Sequence, residues 1–212
     1  MIIVFDLDDT LYNEIDFVKS GLRAVSTLFN NSSDTYNSLM SIFNQYGSGK
    51  VFNHYLSTHP SSIKLEDCIE KYQQHYPAIA LSSMVEDVLN KLSSSFSLGL
   101  LTDGNPVTQK NKFQALGLSA YFDFIVFSGE HQLSKPDQRL FKMFENHYSN
   151  NNDFYYIADN LNKDFIAPNQ LGWTSIQVKN PVGIYRNAIA KDFQLPKKTI
   201  SSINELLGIF KI

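Results

Sequence analysis

An apolar run, Ile2-Ile3-Val4-Phe5, stops abruptly at Asp6-Leu7-Asp8-Asp9-Thr10, and this junction limits what the chain can fold into. The run is too short for a helix, is β-branched and aromatic, and is apolar on both faces, which is the pattern of a strand inside a parallel sheet. Asp6 and Asp8 then stand at its carboxyl end, where ligands bind in open α/β sheets. Carboxylates at i and i+2 on such a turn can face one small volume, with Leu7 pointing away and Thr10 turning back through a hydroxyl hydrogen bond. Like charges so close repel, so the pair calls for a cation, a retained proton, or both. A calcium loop of the EF-hand kind does not fit, because its sixth position would be Leu11 instead of glycine and its twelfth Phe17 instead of glutamate. A capped turn between strand and helix would use the same residue types, so these residues alone leave a structural reading open.

The chain of 212 residues can bury a sizeable core without staples, as one domain or one domain with an inserted subdomain. Hydrophobic residues at 43% and aromatics at 13% exclude a disordered chain. A net charge of −3 and the lack of a basic stripe give no case for nucleic acid. No apolar run is long enough to span a bilayer, and an acid at position 6 argues against a secretory leader. Cys68, the only cysteine, excludes an internal disulfide or a cysteine-based zinc site. A cytoplasmic setting is the simplest expectation, with no membrane and no nucleic-acid partner. The histidines show no metal-ligand spacing, and the sequence does not give the oligomeric state.

From Tyr12 to about Tyr76 the periodicity is helical. Phe17, Gly21, Leu22, Val25, Leu28 and Phe29 share one face; Tyr36, Leu39, Met40 and Phe43 form a second stripe after a cap at Ser33 or Asp34. A third helix is expected over 51–56 and a fourth through Leu65, Cys68, Ile69, Tyr72 and Tyr76, which makes Cys68 a buried hydrophobe. After Pro77 and one more helix near 84–92, strands are expected at 98–101, 124–127, 154–158 and 175–178 with helices between them. That alternation implies an α/β fold, a parallel sheet with helices on both faces. Residues 1–12 and 80–212 form the core, and 13–79 form an inserted all-helical subdomain.

The later strands also end in polar residues. The second leads into Thr102-Asp103-Gly104-Asn105, a hydroxyl and a glycine-opened backbone that can cradle an anion. After the third comes Lys135 before Pro136, a compact cation suited to phosphate. The fourth ends at Asp159-Asn160, with Asp164 five residues beyond Asp159. Each is ordinary turn chemistry alone, but in this order the strand ends carry what a magnesium ion and a phosphate need.

The set resembles the haloacid dehalogenase superfamily, whose four motifs match Asp6-Leu7-Asp8-Asp9-Thr10, Thr102, Lys135-Pro136, and Asp159 with Asp164. The resemblance implies a Rossmann-like three-layer core, a helical cap inserted after motif one, and Mg2+ as cofactor. It implies Asp6 as the nucleophile that takes the phosphoryl group, and Asp8 as the acid that protonates the leaving oxygen and then activates water. Asp6, Asp8 through its backbone carbonyl, and Asp159 would be metal ligands. Thr102, Asp103, Gly104 and Lys135 would hold the phosphate, with Thr10, Asn160 and Asp164 supporting from behind. Ala158 stands where the family commonly has glycine. Asp8 argues for phosphate substrates, since a departing halide needs no proton. The stretches around Thr102 to Lys112 and Ala115-Leu116-Gly117-Leu118 look most like small-metabolite phosphatases of the phosphoglycolate, sialic acid phosphate and pyrimidine nucleotidase type. The expected activity is Mg2+-dependent hydrolysis of a small phosphomonoester through an aspartyl-phosphate, with a sugar phosphomutase or a silent binding domain as alternatives. Tyr12, Asn13, Lys50, Phe52 and His54 are the candidates for choosing the substrate.

Overall fold

The computed structural model describes residues 1–150 and 153–212. The chain divides into two compact units, one of residues 1–14 and 80–212 and the other of residues 15–79.

The first unit holds a six-stranded sheet, every neighbouring pair parallel, in the order β3-β2-β1-β4-β5-β6. Its strands are β1 (Ile2–Phe5), β2 (Ser97–Thr102), β3 (Phe124–Phe127), β4 (Phe154–Ala158), β5 (Thr174–Val178) and β6 (Lys198–Ile200). The strand that opens the chain is central, flanked by β2 and β4, and all four of its residues are buried. That position explains an apolar run with no polar alternation. β6 was not among the expected strands. It is a three-residue edge strand in which only Ile200 is buried, and short, lysine-bearing edges are how sheets avoid further pairing.

The helices of this unit are numbered after the four of the second unit: α5 (Ser83–Ser93), α6 (Pro106–Ala115), α7 (Gln138–His147), α8 (Ile166–Gln170) and α9 (Glu205–Phe210). Successive residues of β4 show the layering, because neighbours on a strand point to opposite faces. The Tyr156 ring meets Phe141 of α7 edge-on at 5.0 Å, while Tyr155 meets Phe210 of α9 at 5.0 Å. The core between sheet and α7 collects Val4, Leu101, Val126, Phe144, Tyr156 and Trp173. Side-chain caps start the helices near the strand ends: Asn105 accepts from the Val107 and Thr108 amides, and Asp137 from that of Arg139.

The second unit consists of α1 (Glu14–Ser26, whose first residue lies in the first unit), α2 (Ser32–Tyr46), α3 (Val51–Thr58) and α4 (Leu65–Gln74). Its own core joins Val18, Leu22, Val25, Leu39, Tyr55 and Cys68. The α2 cap is Asn31, not Ser33 or Asp34; its side chain accepts from the Asp34 amide and so starts the helix earlier. Tyr76 lies past the end of α4 and is exposed. Among the described residues, no helix is long and apolar enough to cross a membrane.

Candidate active site

Asp6 continues the line of β1: its amide donates to Ile157 O of β4 at 2.9 Å, which pins the backbone where the sheet ends. The residue is 6% exposed, and its carboxylate accepts from Lys135 Nζ at 2.7 Å. The same ammonium lies 2.8 Å from Asp164 Oδ1 and 3.1 Å from the Tyr156 hydroxyl. Lys135 reaches this point because its own amide is tied to the Asp103 carboxylate at 3.1 Å. Burial opposes its charge, but Asp164 and Asp6 outweigh burial and hold the ammonium well above the ordinary lysine range.

Asp159 leaves β4 on the same side, its carbonyl accepting from Gln177 Nε2 at 3.0 Å. The Asp6, Asp159 and Asp164 carboxylates bring one oxygen each within 4.8 Å of one another. Burial, then the charges of Asp6 and Asp164, pushes the Asp159 carboxyl up to about 9; burial raises Asp6 to about 6 against the pull of Lys135. Three buried carboxylates facing one lysine are short of positive charge. An all-oxygen donor set of this kind fits a hard divalent cation such as Mg2+. Asp164, fully buried and accepting from the Asn160 amide at 3.0 Å, belongs to this cluster, where the sequence reading had it supporting from behind. Asn160 contributes that amide, and its side chain accepts from Asn162 N at 3.0 Å.

The Asp8 carboxylate is not part of the cluster; the metal contact expected of Asp8 is through its backbone carbonyl, not this side chain. It turns toward α6, where Lys112 Nζ lies 2.7 and 2.9 Å from its two oxygens and Gln109 Nε2 3.3 Å from Oδ2. The Tyr12 hydroxyl donates to Oδ1. Burial pushes Asp8 up, but Lys112, Tyr12 and Gln109 together outweigh burial and leave it below the usual carboxylate range. Tyr12, expected to face a substrate, is buried against Asp8.

Thr102, at the end of β2, donates from Oγ1 to Gln109 Oε1 at 3.2 Å. Gly104 adopts φ +128, a left-handed conformation that side chains rarely tolerate. The Asp103 carboxylate faces cations: Lys163 Nζ lies 2.7 Å from it, and the Lys135 amide also donates to it. An anion would be repelled there, so the side chain is not a phosphate holder, and any such role falls to the backbone of this loop.

Three further expectations meet different outcomes. Thr10 Oγ1 is buried without a hydrogen-bond partner among the described residues, so the hydroxyl bond expected there is not formed. Asn13 Oδ1 accepts from Asn180 Nδ2 at 3.1 Å. In the second unit, exposed Lys50 and half-buried Phe52 line a cavity of about 270 Å³ with Leu22, Phe43 and Tyr72, whereas His54 stacks on Tyr46 with ring centroids 4.5 Å apart.

Four residues of this site carried no assigned role in the sequence reading. Gln109 and Lys112 are three apart on α6, hence on one face, and a helix that buries Thr108, Gln109 and Lys112 in place of an apolar stripe was the available signal. Lys163 sits between motif residues but resembles a solvated loop lysine. Asp9 has φ 56 and ties its carboxylate to the amides of Glu14 at 2.9 Å and Ile184 at 2.7 Å, with Asn180 Nδ2 at 3.3 Å. Asp9 therefore staples the loop after β5 to the end of β1, a contact across 175 residues that no local pattern announces.

Residues 3–178, well over half the chain, match the family described as haloacid dehalogenase-like hydrolase. The chain belongs to the haloacid dehalogenase-like hydrolases. This hydrolase is similar to the glyceraldehyde 3-phosphate phosphatase of Methanocaldococcus jannaschii, with 28% identity over 99% of this chain and 96% of the relative. It is also similar to human N-acylneuraminate-9-phosphatase, with 30% identity over 63% of this chain and 53% of the relative. Among solved structures, the HAD hydrolase YfnB of Bacillus subtilis, bound to magnesium, superimposes with TM-score 0.74 at 18% identity, covering 100% of this chain and 98% of that one. The L-2-haloacid dehalogenase of Xanthobacter autotrophicus superimposes with TM-score 0.67 at 13% identity, covering 99% of this chain and 98% of that one. One fold thus serves phosphate and halide chemistry alike, and the residues of the site have to decide between them.

Proposed function

We propose that this hydrolase is a Mg2+-dependent phosphatase that cleaves a small soluble phosphomonoester in two steps through an aspartyl-phosphate on Asp6. The observation that carries the reading is the separation of the carboxylates. Asp6 lies with Asp159 and Asp164 around Lys135, while Asp8 is held on the other side by Lys112. That separation supports a division of labour in which one carboxylate meets phosphorus and the other handles a proton.

In the first step an oxygen of Asp6 attacks phosphorus and the bond from phosphorus to the leaving oxygen breaks; Asp8, ionised in the resting protein, takes the proton of the bound phosphate monoanion and passes it to that oxygen. In the second, water attacks phosphorus, its proton passes to Asp8, and the bond to Asp6 breaks with its electrons returning to the carboxylate. Lys135, 2.7 Å from Asp6, offsets the charge that keeps a carboxylate away from a phosphate. Thr102 and the backbone at Gly104 hold the transferring oxygens. Asp6, Asp159 and Asp164 would hold Mg2+, which when bound supplies charge neutralisation.

The leading substrate class is a phosphorylated sugar, sugar acid or triose, on the strength of the named phosphatase relatives. Lys50 and Phe52, lining the cavity of the helical unit, are the candidates for choosing among them. The one cysteine, free and buried, suits a reducing cytoplasm. The test is phosphate release from a panel led by glyceraldehyde 3-phosphate and N-acylneuraminate 9-phosphate, with and without Mg2+, comparing wild type with Asp6→Asn. Metal-dependent release that vanishes in Asp6→Asn is the expected result. Interconversion of sugar phosphates without release would replace the phosphatase by a phosphomutase.

A further inference from the structure

We infer that Lys112 and Gln109 of α6 are positioning residues for Asp8, fixing its carboxylate for the water-activating step; the inference rests on the two-step reading above. Lys112 is 2% exposed. A lysine is buried only at a considerable desolvation cost, and a residue needed merely to pack α6 would be met better by methionine, which has the same reach without the charge. The ammonium instead lies 2.7 and 2.9 Å from both oxygens of Asp8, across 104 residues of chain. Holding both oxygens fixes the carboxylate plane as well as its place.

Gln109, one turn earlier on the same face, completes the arrangement. Its Nε2 lies 3.3 Å from Asp8 Oδ2, and its Oε1 accepts from Thr102 Oγ1 at 3.2 Å. One amide therefore ties the proton-handling carboxylate at the end of β1 to the hydroxyl at the end of β2, and each bond sets the orientation the other needs. The space for it comes from the motif-two loop: a Cβ at position 104 would sit 2.9 Å from Gln109 Nε2. Gly104 thus serves Gln109 as well as the turn. The Tyr12 hydroxyl also donates to Asp8 Oδ1, while the Asp8 side chain stays partly accessible. An aspartate just past the end of a strand would otherwise turn about two side-chain bonds. Reaction geometry is lost with displacements of about 1 Å, at a cost of about 100-fold. Lys112 exchanges no proton in this account.

The experiment uses 4-nitrophenyl phosphate, whose leaving group departs without a proton, in rapid-mixing assays of the full chain with Mg2+. For Lys112→Met the expected result is a burst of 4-nitrophenol equal to the active sites, within about threefold of the wild-type rate. Steady turnover then falls on the order of 100-fold, and phosphoprotein accumulates on acid quench. Lys112→Arg, which keeps the charge, is expected to recover part of the turnover. If Lys112→Met does not fold, Lys112→Gln, which keeps a polar group without the charge, carries the same test with a drop of about 10-fold. Steady turnover equal to wild type would overturn the inference, and so would a burst that falls in parallel with turnover, which marks a merely structural role. Hydrolysis surviving in Asp6→Asn would overturn the two-step reading and the inference together. Its loss there, with Lys112→Met unaffected, would overturn the inference alone.

Discussion

Lys135 illustrates what one residue can do in this site. It is almost fully buried, 2.7 Å from Asp6 and 2.8 Å from Asp164, so it balances two carboxylates in the resting protein; in the mechanism proposed above it also meets the charge that develops on a phosphoryl group. Lys135→Ala should cost about 3 kcal/mol of transition-state stabilisation, on the order of 100-fold in kcat. Equal kcat for the variant and wild type would remove Lys135 from the chemistry. Cys68 is the opposite case. It lies on the buried face of α4, and burial, then the neighbouring Asp67, pushes its thiol up to about 11. The folded protein should therefore leave a thiol reagent such as DTNB unconsumed at pH 8, with full reaction only in denaturant. Both residues could be read from sequence as types. Only the burial of the first and its two carboxylate partners separate it from a solvated loop lysine.

At the scale of elements, the site depends on strands that stay in register. β2 carries Gly99 in its interior, where glycine would ordinarily weaken a strand. The space is taken by Phe144 of α7: a Cβ at Gly99 would lie 2.6 Å from the Phe144 ring, which is itself locked edge-on to Phe124 and Trp173. Because that ring has nowhere to go, Gly99→Ala should destabilise the protein by about 1–3 kcal/mol in urea unfolding. An unchanged midpoint would mean that α7 moves freely against the sheet. Helix α6 shows the limit of pattern reading. It has no apolar stripe, because the face it buries carries Thr108, Gln109 and Lys112, of which Gln109 reaches Thr102 and Asp8 and Lys112 reaches Asp8.

For the whole molecule the governing quantity is the balance of buried charge. The Asp159 carboxyl, raised from 3.8 to about 9, and that of Glu14, raised from 4.5 to about 8, hold protons in the folded state that the unfolded chain releases near pH 4. Burial is the main cause in both, followed by neighbouring carboxylates. The native state therefore binds more protons between about pH 4 and pH 9, and stability falls as pH rises through that window. Asp8 and Asp103 act in the opposite sense: lowered overall despite burial by Lys112 and by Lys135 with Lys163, they contribute stability that is lost as pH falls through the ordinary carboxylate range. Metal-free protein should thus have its highest Tm near pH 5 and a declining one toward pH 9. Mg2+ should raise Tm more at pH 8 than at pH 5, because it competes with protons for the carboxylates. A Tm indifferent to both would dissolve the charge argument. The sequence by itself determined the α/β alternation, the helical insertion and the identity of the residues at four strand ends, because hydrophobic period and turn chemistry are local. Tertiary structure alone decided that the edge strand β6 pairs, that Asp164 joins the carboxylates while Asp8 turns to Lys112, and that Asp9 staples the loop after β5. The first depends on backbone pairing between β5 and β6, and the others on which buried carboxylates find partners across 29 to 175 residues of chain; no local pattern of sequence contains both ends.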